Sequence, residues 1–215
     1  MRIKKLTLTI GLLAFLHLAY GQFEGILYYD CTIKNKTLTT LYESRTKILL
    51  EAKTYPMKEG AADISKGKEQ DALIFDFGTN KMTRLSSRHK QALTTAMGPV
   101  TADRAADPKE GDLTIQDAGA EKVNGYDCHH FVVTIKNKKS DLWITKDLGT
   151  SSLCLVAQFD YYPAGSLLYD KLKAVGGDGV VVRCEAGGVT VNLTNVQRKT
   201  VPPSFFEIPE GYSKS

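Results

Sequence analysis

Reactive side chains are scarce in this sequence. Histidine occurs four times, and His17 falls in the N-terminal leader, which leaves His89, His129 and His130. There is no G-x-S-x-G elbow, no H-E-x-x-H pair, no phosphate-binding G-x-x-x-x-G-K-[ST] loop and no G-x-G-x-x-G fingerprint. A Ser-His-Asp arrangement would have to be assembled from those three histidines. Carboxylates such as Asp76 and Glu185 show no partner at acid–base spacing. These shortages exclude the common hydrolase, kinase and dehydrogenase signatures. The expectation is a protein that is not an enzyme, with no catalytic residues, no cofactor and no metal site.

Cysteine is also sparse: Cys31, Cys128, Cys154 and Cys184, with no C-x-x-C cluster of the kind a structural zinc site uses. An even count in an exported chain favours disulfides, with three pairings open. Excess positive charge is missing as well. The chain carries 28 basic against 24 acidic residues, and Arg2, Lys4 and Lys5 of the leader account for most of the difference. The densest cationic run, Lys136 to Lys139, fits a hairpin turn. Nucleic acid as a partner is therefore excluded.

The only long apolar run is at the start. Behind the three cations, residues 6–19 are apolar, and Ala19 and Gly21 are small residues placed for cleavage between Gly21 and Gln22. The run is shorter than the roughly 20 residues a spanning helix needs. The reading is a cleaved signal peptide over residues 1–21, a periplasmic or secreted protein, and no transmembrane segment after cleavage. Residues 22–215 then form a single β-rich domain, long enough to bury a core.

What is abundant is strand signal. In FEGILYYDCTI, Phe23, Leu27, Tyr29, Cys31 and Ile33 alternate with Glu24, Asp30 and Thr32. Strand-like runs also occupy residues 46–52, 72–77 and 81–87, the last two flanking a GTN loop. YDCHHFVVTI and SDLWITK flank the lysine-rich turn, and GVVVRCEA and GVTVNLTNV meet at Gly187 and Gly188. Successive hairpins predict an antiparallel sheet. Residues 55–70 and 94–111 read as loops or short helices. In SLLYDKLKAVGG, Ser166 can cap a helix whose apolar stripe is Leu167, Leu168, Leu172 and Val175, ended by Gly176 and Gly177. On a strand Cys128 and His130 face one way and His129 the other, so the three cannot converge on one metal ion.

VNGYDCHHFVV followed by LWITKDL, the opening FEGILYYD and the closing VPPSFFEIPEGY resemble segments of the domain of unknown function 4412, a family of exported bacterial proteins. The resemblance implies a fold similar to the lipoprotein carrier LolA. That fold is mainly β, α+β in class: a curved antiparallel sheet, or half-open barrel, wrapped around short helices. In the better-known relatives the concave apolar face holds acyl chains. Applied here, the analogy makes Leu27, Tyr29, Phe131, Val133 and Trp143 candidate ligand-facing residues, with Leu167, Leu168 and Leu172 as lid. Each buried CH₂ contributes roughly 0.8 kcal/mol, so a lipid tail can be held by burial alone. Two functions follow. One is a non-catalytic carrier of a lipid, an acyl chain or another hydrophobic ligand, which needs a cavity of several hundred Å³. The other is a structural protein with a filled core that interacts with another envelope protein.

Overall fold

The alternation over residues 23–31 builds the strand at the centre of the molecule. Phe23, Leu27, Tyr29 and Cys31 are buried on one side. Asp30 stands on the other, where its carboxylate meets Lys36 at 3.3 Å. The computed structural model describes residues 21–32, 35–100, 108–156 and 160–215. Ile33 and the leader residues 1–20, on which the export reading rests, lie outside the described residues.

Along the chain the strands are β1 (Gly25–Thr32), β2 (Asn35–Glu43), β3 (Lys47–Lys58), β4 (Ala61–Ala62), β5 (Lys68–Glu69), β6 (Ala72–Asp76), β7 (Lys81–Ser86), β8 (Gln91–Ala96), β9 (Leu113–Val123), β10 (Tyr126–Ile135), β11 (Lys138–Thr150), β12 (Leu153–Val156) and β13 (Asp160–Pro163). Helix α1 (Leu167–Ala174) follows, then β14 (Gly179–Ala186), β15 (Val189–Arg198) and β16 (Ser213–Lys214). Among the described residues, the main sheet runs β16-β8-β7-β6-β3-β2-β1-β15-β14-β11-β10-β9, with β4 and β5 added to β3. Every pairing in it is antiparallel except the short β16–β8 contact. The sheet is mainly β architecture in a curved, unclosed form, with edges at β9 and at β8–β16, and it matches the half-open barrel that the resemblance implied.

Turn chemistry sets the register. Lys136 and Asn137 both have positive φ (46° and 68°), as do Gly187 and Gly188 (58° and 78°). These are two-residue hairpin loops whose twist matches that of the flanking strands. Two rows of paired residues cross the sheet as a result. Thr54, Thr37, Cys31, Val191, Cys184, Leu142 and Phe131 point inward. Lys53, Leu38, Asp30, Asn192, Arg183, Trp143 and His130 point outward.

β11 and β14 are neighbours, yet the chain between them leaves the sheet. Thr150 pairs with Gly179, and the described residues between them, 151–156 and 160–178, form an excursion that begins and ends at that pair. It consists of the β12–β13 hairpin and α1, and it covers the inner face. Leu153, Leu155, Tyr161, Leu168 and Leu172 join the large core cluster there with Leu27, Phe75, Phe131 and Val182. A second, smaller cluster lies on the outer face, where Val201 and Phe206 of the C-terminal segment cover Leu49, Ile74, Leu85 and Ala92.

Three expectations need correction. Residues 55–70, expected as loops or short helices, are mostly strand with one short 3₁₀ turn. β3 continues to Lys58, turns at Glu59 and Gly60 (φ 52° and 82°), and leads into β4, a 3₁₀ turn at Ile64–Lys66 and β5. This arm is largely exposed, so its apolar alternation is weak. Of residues 94–111, the first three finish β8, a 3₁₀ turn takes Glu110–Asp112, and 101–107 lie outside the described residues. At α1, Ser166 occupies the N-cap position, but its hydroxyl donates to the Pro163 carbonyl at 2.7 Å and does not cap. The C-terminal cap is as expected: Gly176 N–H reaches Lys173 O at 3.0 Å and Gly177 N–H reaches Leu172 O at 2.7 Å, with Gly176 at φ 84°.

Candidate functional site: a lidded inner face

The inner face is mainly apolar because the inward side of the central strands is, and the excursion supplies the layer that buries it. Leu27, Tyr29, Phe131 and Val133 lie on this face and are at most 5 % exposed. Leu168 and Leu172 of α1 are completely buried beneath the lid, while Leu167 is only partly buried and packs at its margin. Trp143 is on the other side. The two-residue turn puts it opposite His130, and Leu142 takes the inward place opposite Phe131. Seven of the eight candidate residues therefore belong to the lid and the face it covers.

The lid closes tightly. Between Leu27, Tyr29, Thr39, Leu41, Leu153, Leu155, Tyr161 and Val181 there remains a cavity of about 10 Å³, roughly the volume one water needs. Tyr29 spans it and donates its hydroxyl to Val181 O at 3.0 Å.

Polar contacts fasten the lid at its root, and no sequence pattern announces them. Glu43, at the end of β2, is completely buried. One carboxyl oxygen accepts Ser151 Oγ–H and the other the Ser152 N–H, each at 2.9 Å. Ser151 O in turn accepts the Tyr169 hydroxyl from α1 at 2.7 Å, and its N–H donates to Asp178 O at 2.9 Å. Gln22 Nε2 donates to Ser152 Oγ at 2.9 Å. Burial pushes the Glu43 carboxyl up to about 8, although Ser152, Ser151 and Gln22 each pull it down by hydrogen bonding. Far from the root, Val100 and Tyr161 exchange backbone hydrogen bonds at 2.8 and 2.7 Å, and Lys171 of α1 meets Glu110 at 3.2 Å.

The expected disulfides are absent: the four cysteines are buried thiols. Cys31 and Cys184 stand on either side of Val191 in one row. Two interstrand spacings separate them, about 9.5 Å, beyond the roughly 7 Å limit between Cα atoms for a disulfide. Burial pushes the Cys154 thiol up to about 12 and, with nearby carboxylates, the Cys128 thiol up to about 11. Such thiols are poor nucleophiles.

The two neighbouring histidines go separate ways. His129 is exposed, 3.7 Å from Asp117. His130 stacks on Trp143, with ring centroids 4.5 Å apart and planes 9° from parallel, and its Nε2 lies 2.8 Å from Asp141. Arg183 lies over the indole at 5.1 Å, and the indole N–H donates to Glu121 at 2.7 Å. This ladder explains why Trp143 is 8 % exposed on an outward face. Among the described residues, no three His, Cys, Asp or Glu side chains are grouped to hold a metal ion, and no helix is long and apolar enough to cross a membrane.

A family model described as "Domain of unknown function (DUF4412)" matches residues 23–212. The chain belongs to this family. Among solved structures, an uncharacterized conserved protein from Thermus thermophilus is 9 % identical, with 88 % of each chain covered and a TM-score of 0.51, a likeness of fold alone. PNGF-II is 14 % identical over 88 % of this chain but only 31 % of its own, with a TM-score of 0.47. A Vibrio parahaemolyticus domain named for outer membrane lipoprotein sorting is 12 % identical over 87 % of this chain and 89 % of its own, with a TM-score of 0.25. No curated protein matches the sequence. Family membership brings a fold and no activity.

Proposed function

We propose that this DUF4412 domain is an exported, non-catalytic binding protein that takes a lipid or another hydrophobic ligand on its inner face, beneath a lid that moves. The observation that carries this reading is the excursion over residues 151–178. Its two ends meet at Thr150 and Gly179, so it can lift while β11 and β14 stay paired. The face it uncovers is apolar, formed by Leu27, Phe131, Val133 and their neighbours. The buried, weakly nucleophilic thiols and the stacked His130 agree with binding rather than chemistry. The cavity of about 10 Å³ means that ligand enters only when the lid is displaced. The same small volume favours a second reading, a structural envelope protein whose lid is a permanent part of the core.

A lock on the lid separates the two. Glu110 and Lys171 are at the surface and bridge the lid helix to the start of β9. In a Glu110→Cys/Lys171→Cys variant a short bismaleimide ties them together, while the native thiols stay buried. On the first reading the unlocked protein takes up a fluorescent fatty acid and the crosslinked one does not. Failure of both forms to bind leaves the filled-core reading, and equal binding by both means the lid is not the gate.

A further inference from the structure

The space lacking on the inner face is present on the outer one. A groove of about 630 Å³ runs between the β3–β5 arm and the C-terminal segment, within the range of roughly 300–1,000 Å³ typical of small-ligand sites. Leu38, Thr40, Ala72 and Leu85 belong to its lining, with Tyr28, Tyr55 and Tyr212 around them. Leu38 is 39 % exposed there, an apolar side chain left open to solvent. At Thr194 and Asn195 the groove adjoins a second hollow of about 700 Å³, lined by Asp30, Asn124, Tyr126 and Asn192. The two share Thr194 and Asn195, so the depression is elongated rather than round.

Its walls are held in place. A Cβ on Gly67 would come within 2.6 Å of Tyr55 Cε1 and 2.8 Å of Lys53 Cε, so the bare glycine backbone packs directly on both side chains. Lys90 sits over the Tyr212 ring at 5.1 Å. A bulge in the β1–β15 pairing leaves Thr194 free to donate its hydroxyl to Tyr28 O at 3.0 Å.

Charge selects the ligand. Glu69 faces Lys53 at 4.0 Å, Asp30 faces Lys36 at 3.3 Å, and Glu51 accepts a hydrogen bond from Tyr42. Lys53 offsets Glu69 and Lys36 offsets Asp30, so beyond Glu51 the lining carries little net charge and offers no strong counter-charge to an anion such as phosphate or nucleic acid. An acyl chain would leave the Asn, Gln, Glu and Thr groups without partners. What remains is a neutral, elongated molecule with flat apolar faces and hydroxylated edges. Tyr rings match such faces, and side-chain amides and half-used carboxylates match such edges.

We propose that this groove binds a neutral oligosaccharide. The site is separate from the lidded face and independent of what that face does. The test is saturation-transfer NMR and calorimetry on the whole domain with maltotriose, cellotriose and chitotriose, each at millimolar concentration, and with trigalacturonate as the anionic control. At least one neutral trisaccharide binds. Tyr55→Ala weakens it about tenfold and Tyr55→Phe leaves it within about twofold, because the ring face, not the hydroxyl, makes the contact. Circular dichroism confirms that both variants are folded. Leu38→Lys, an exposed substitution on the groove floor, weakens the same ligand and gives a second readout should Tyr55→Ala unfold. Absence of binding by all three neutral sugars, equal or tighter binding of trigalacturonate, or binding untouched by both Tyr55→Ala and Leu38→Lys overturns the proposal.

Discussion

Replacing Glu43 by Gln removes one ionisable group from the root of the lid and leaves its shape. In the folded protein the carboxyl titrates near 8, driven up by burial against the hydrogen bonds from Ser152, Ser151 and Gln22, whereas an unburied glutamate titrates near 4.5. Below pH 4.5 both the folded and the unfolded chain carry the proton. Between 4.5 and 8 the unfolded chain releases it and the folded chain keeps it, so folding stability falls as pH rises. The slope is at most about 1.4 kcal/mol per pH unit, and the whole window is worth about 5 kcal/mol, of which about 3 is already lost at pH 7. Above 8 the loss levels off.

The glutamine fits the same contacts. Its carbonyl oxygen accepts the Ser152 N–H, and its amide donates to Ser151 Oγ, whose own proton already has an acceptor in Leu153 O at 3.2 Å. Urea unfolding at pH 5, 6, 7, 8 and 9, followed by Trp143 fluorescence, gives both stabilities. The stability of Glu43→Gln minus that of the wild type is expected to rise steadily from pH 5 to 8 and then flatten. Groups whose titration is displaced elsewhere lie outside this window: the Cys128 and Cys154 thiols near 11 and 12, and Asp76 below its ordinary value, where hydrogen bonds from Lys47 and Thr79 overcome the opposing effect of burial. Subtracting the two curves cancels any group the variants share. A difference that does not change with pH would show that Glu43 is hydrated, and the account of a dry, latched lid root would fail.

Two further outcomes follow from the same packing. All four cysteines are expected to resist a thiol reagent in the folded protein and to react fully in guanidinium without reductant; fewer than four reactive thiols per chain would mean that a disulfide exists. Leu168→Ala, in the fully buried centre of the lid helix, is expected to cost about 2–5 kcal/mol in denaturant unfolding. A cost under about 1 kcal/mol would mean that α1 does not rest on the inner face.

The elements that declare themselves in the sequence are those with one wet and one dry side. β1, the latter half of β10 and most of β15 alternate, and the β10–β11 and β14–β15 turns carry residues with positive φ. β9 is hidden because only Leu113 and Val123 at its ends are buried. Its exposed middle bulges at Gly119 (φ 103°) and carries Asp117, Glu121 and Lys122. Charges and bulges of this kind keep an edge strand from pairing with another chain, and they erase the period that would reveal it. β2 is hidden by threonine: Thr37 and Thr39 fill inward positions that a hydropathy pattern assigns to apolar residues. Trp143 is misplaced for a different reason. Its side follows from the length of the Lys136–Asn137 turn rather than from its own hydrophobicity, and a shift of one residue in register reverses every side chain on the strand. Glu43 carries no local signal, since Ser151 and Ser152, which hold its two carboxyl oxygens, are more than a hundred residues away.

The two proposed kinds of binding fall on opposite faces of one sheet. Inward positions are mainly apolar and are covered by β12, β13 and α1, so anything held there displaces protein. On the proposed carrier reading, entry requires breaking the Glu43 contacts and the Val100–Tyr161 bridge. Outward positions over β1, β2 and β3 are mixed in character and already open between two flanking segments, so a ligand there displaces only water. Between the faces runs a single sheet in which Asp30 and Cys31, or Leu142 and Trp143, are adjacent along the chain but opposite in direction. The proposed lid movement keeps that sheet intact as long as Thr150 and Gly179 remain paired. Occupation of one face is therefore expected to leave the other unaltered. Fatty-acid uptake measured with and without saturating trisaccharide checks this, and a changed affinity would mean that the sheet itself bends when the lid opens.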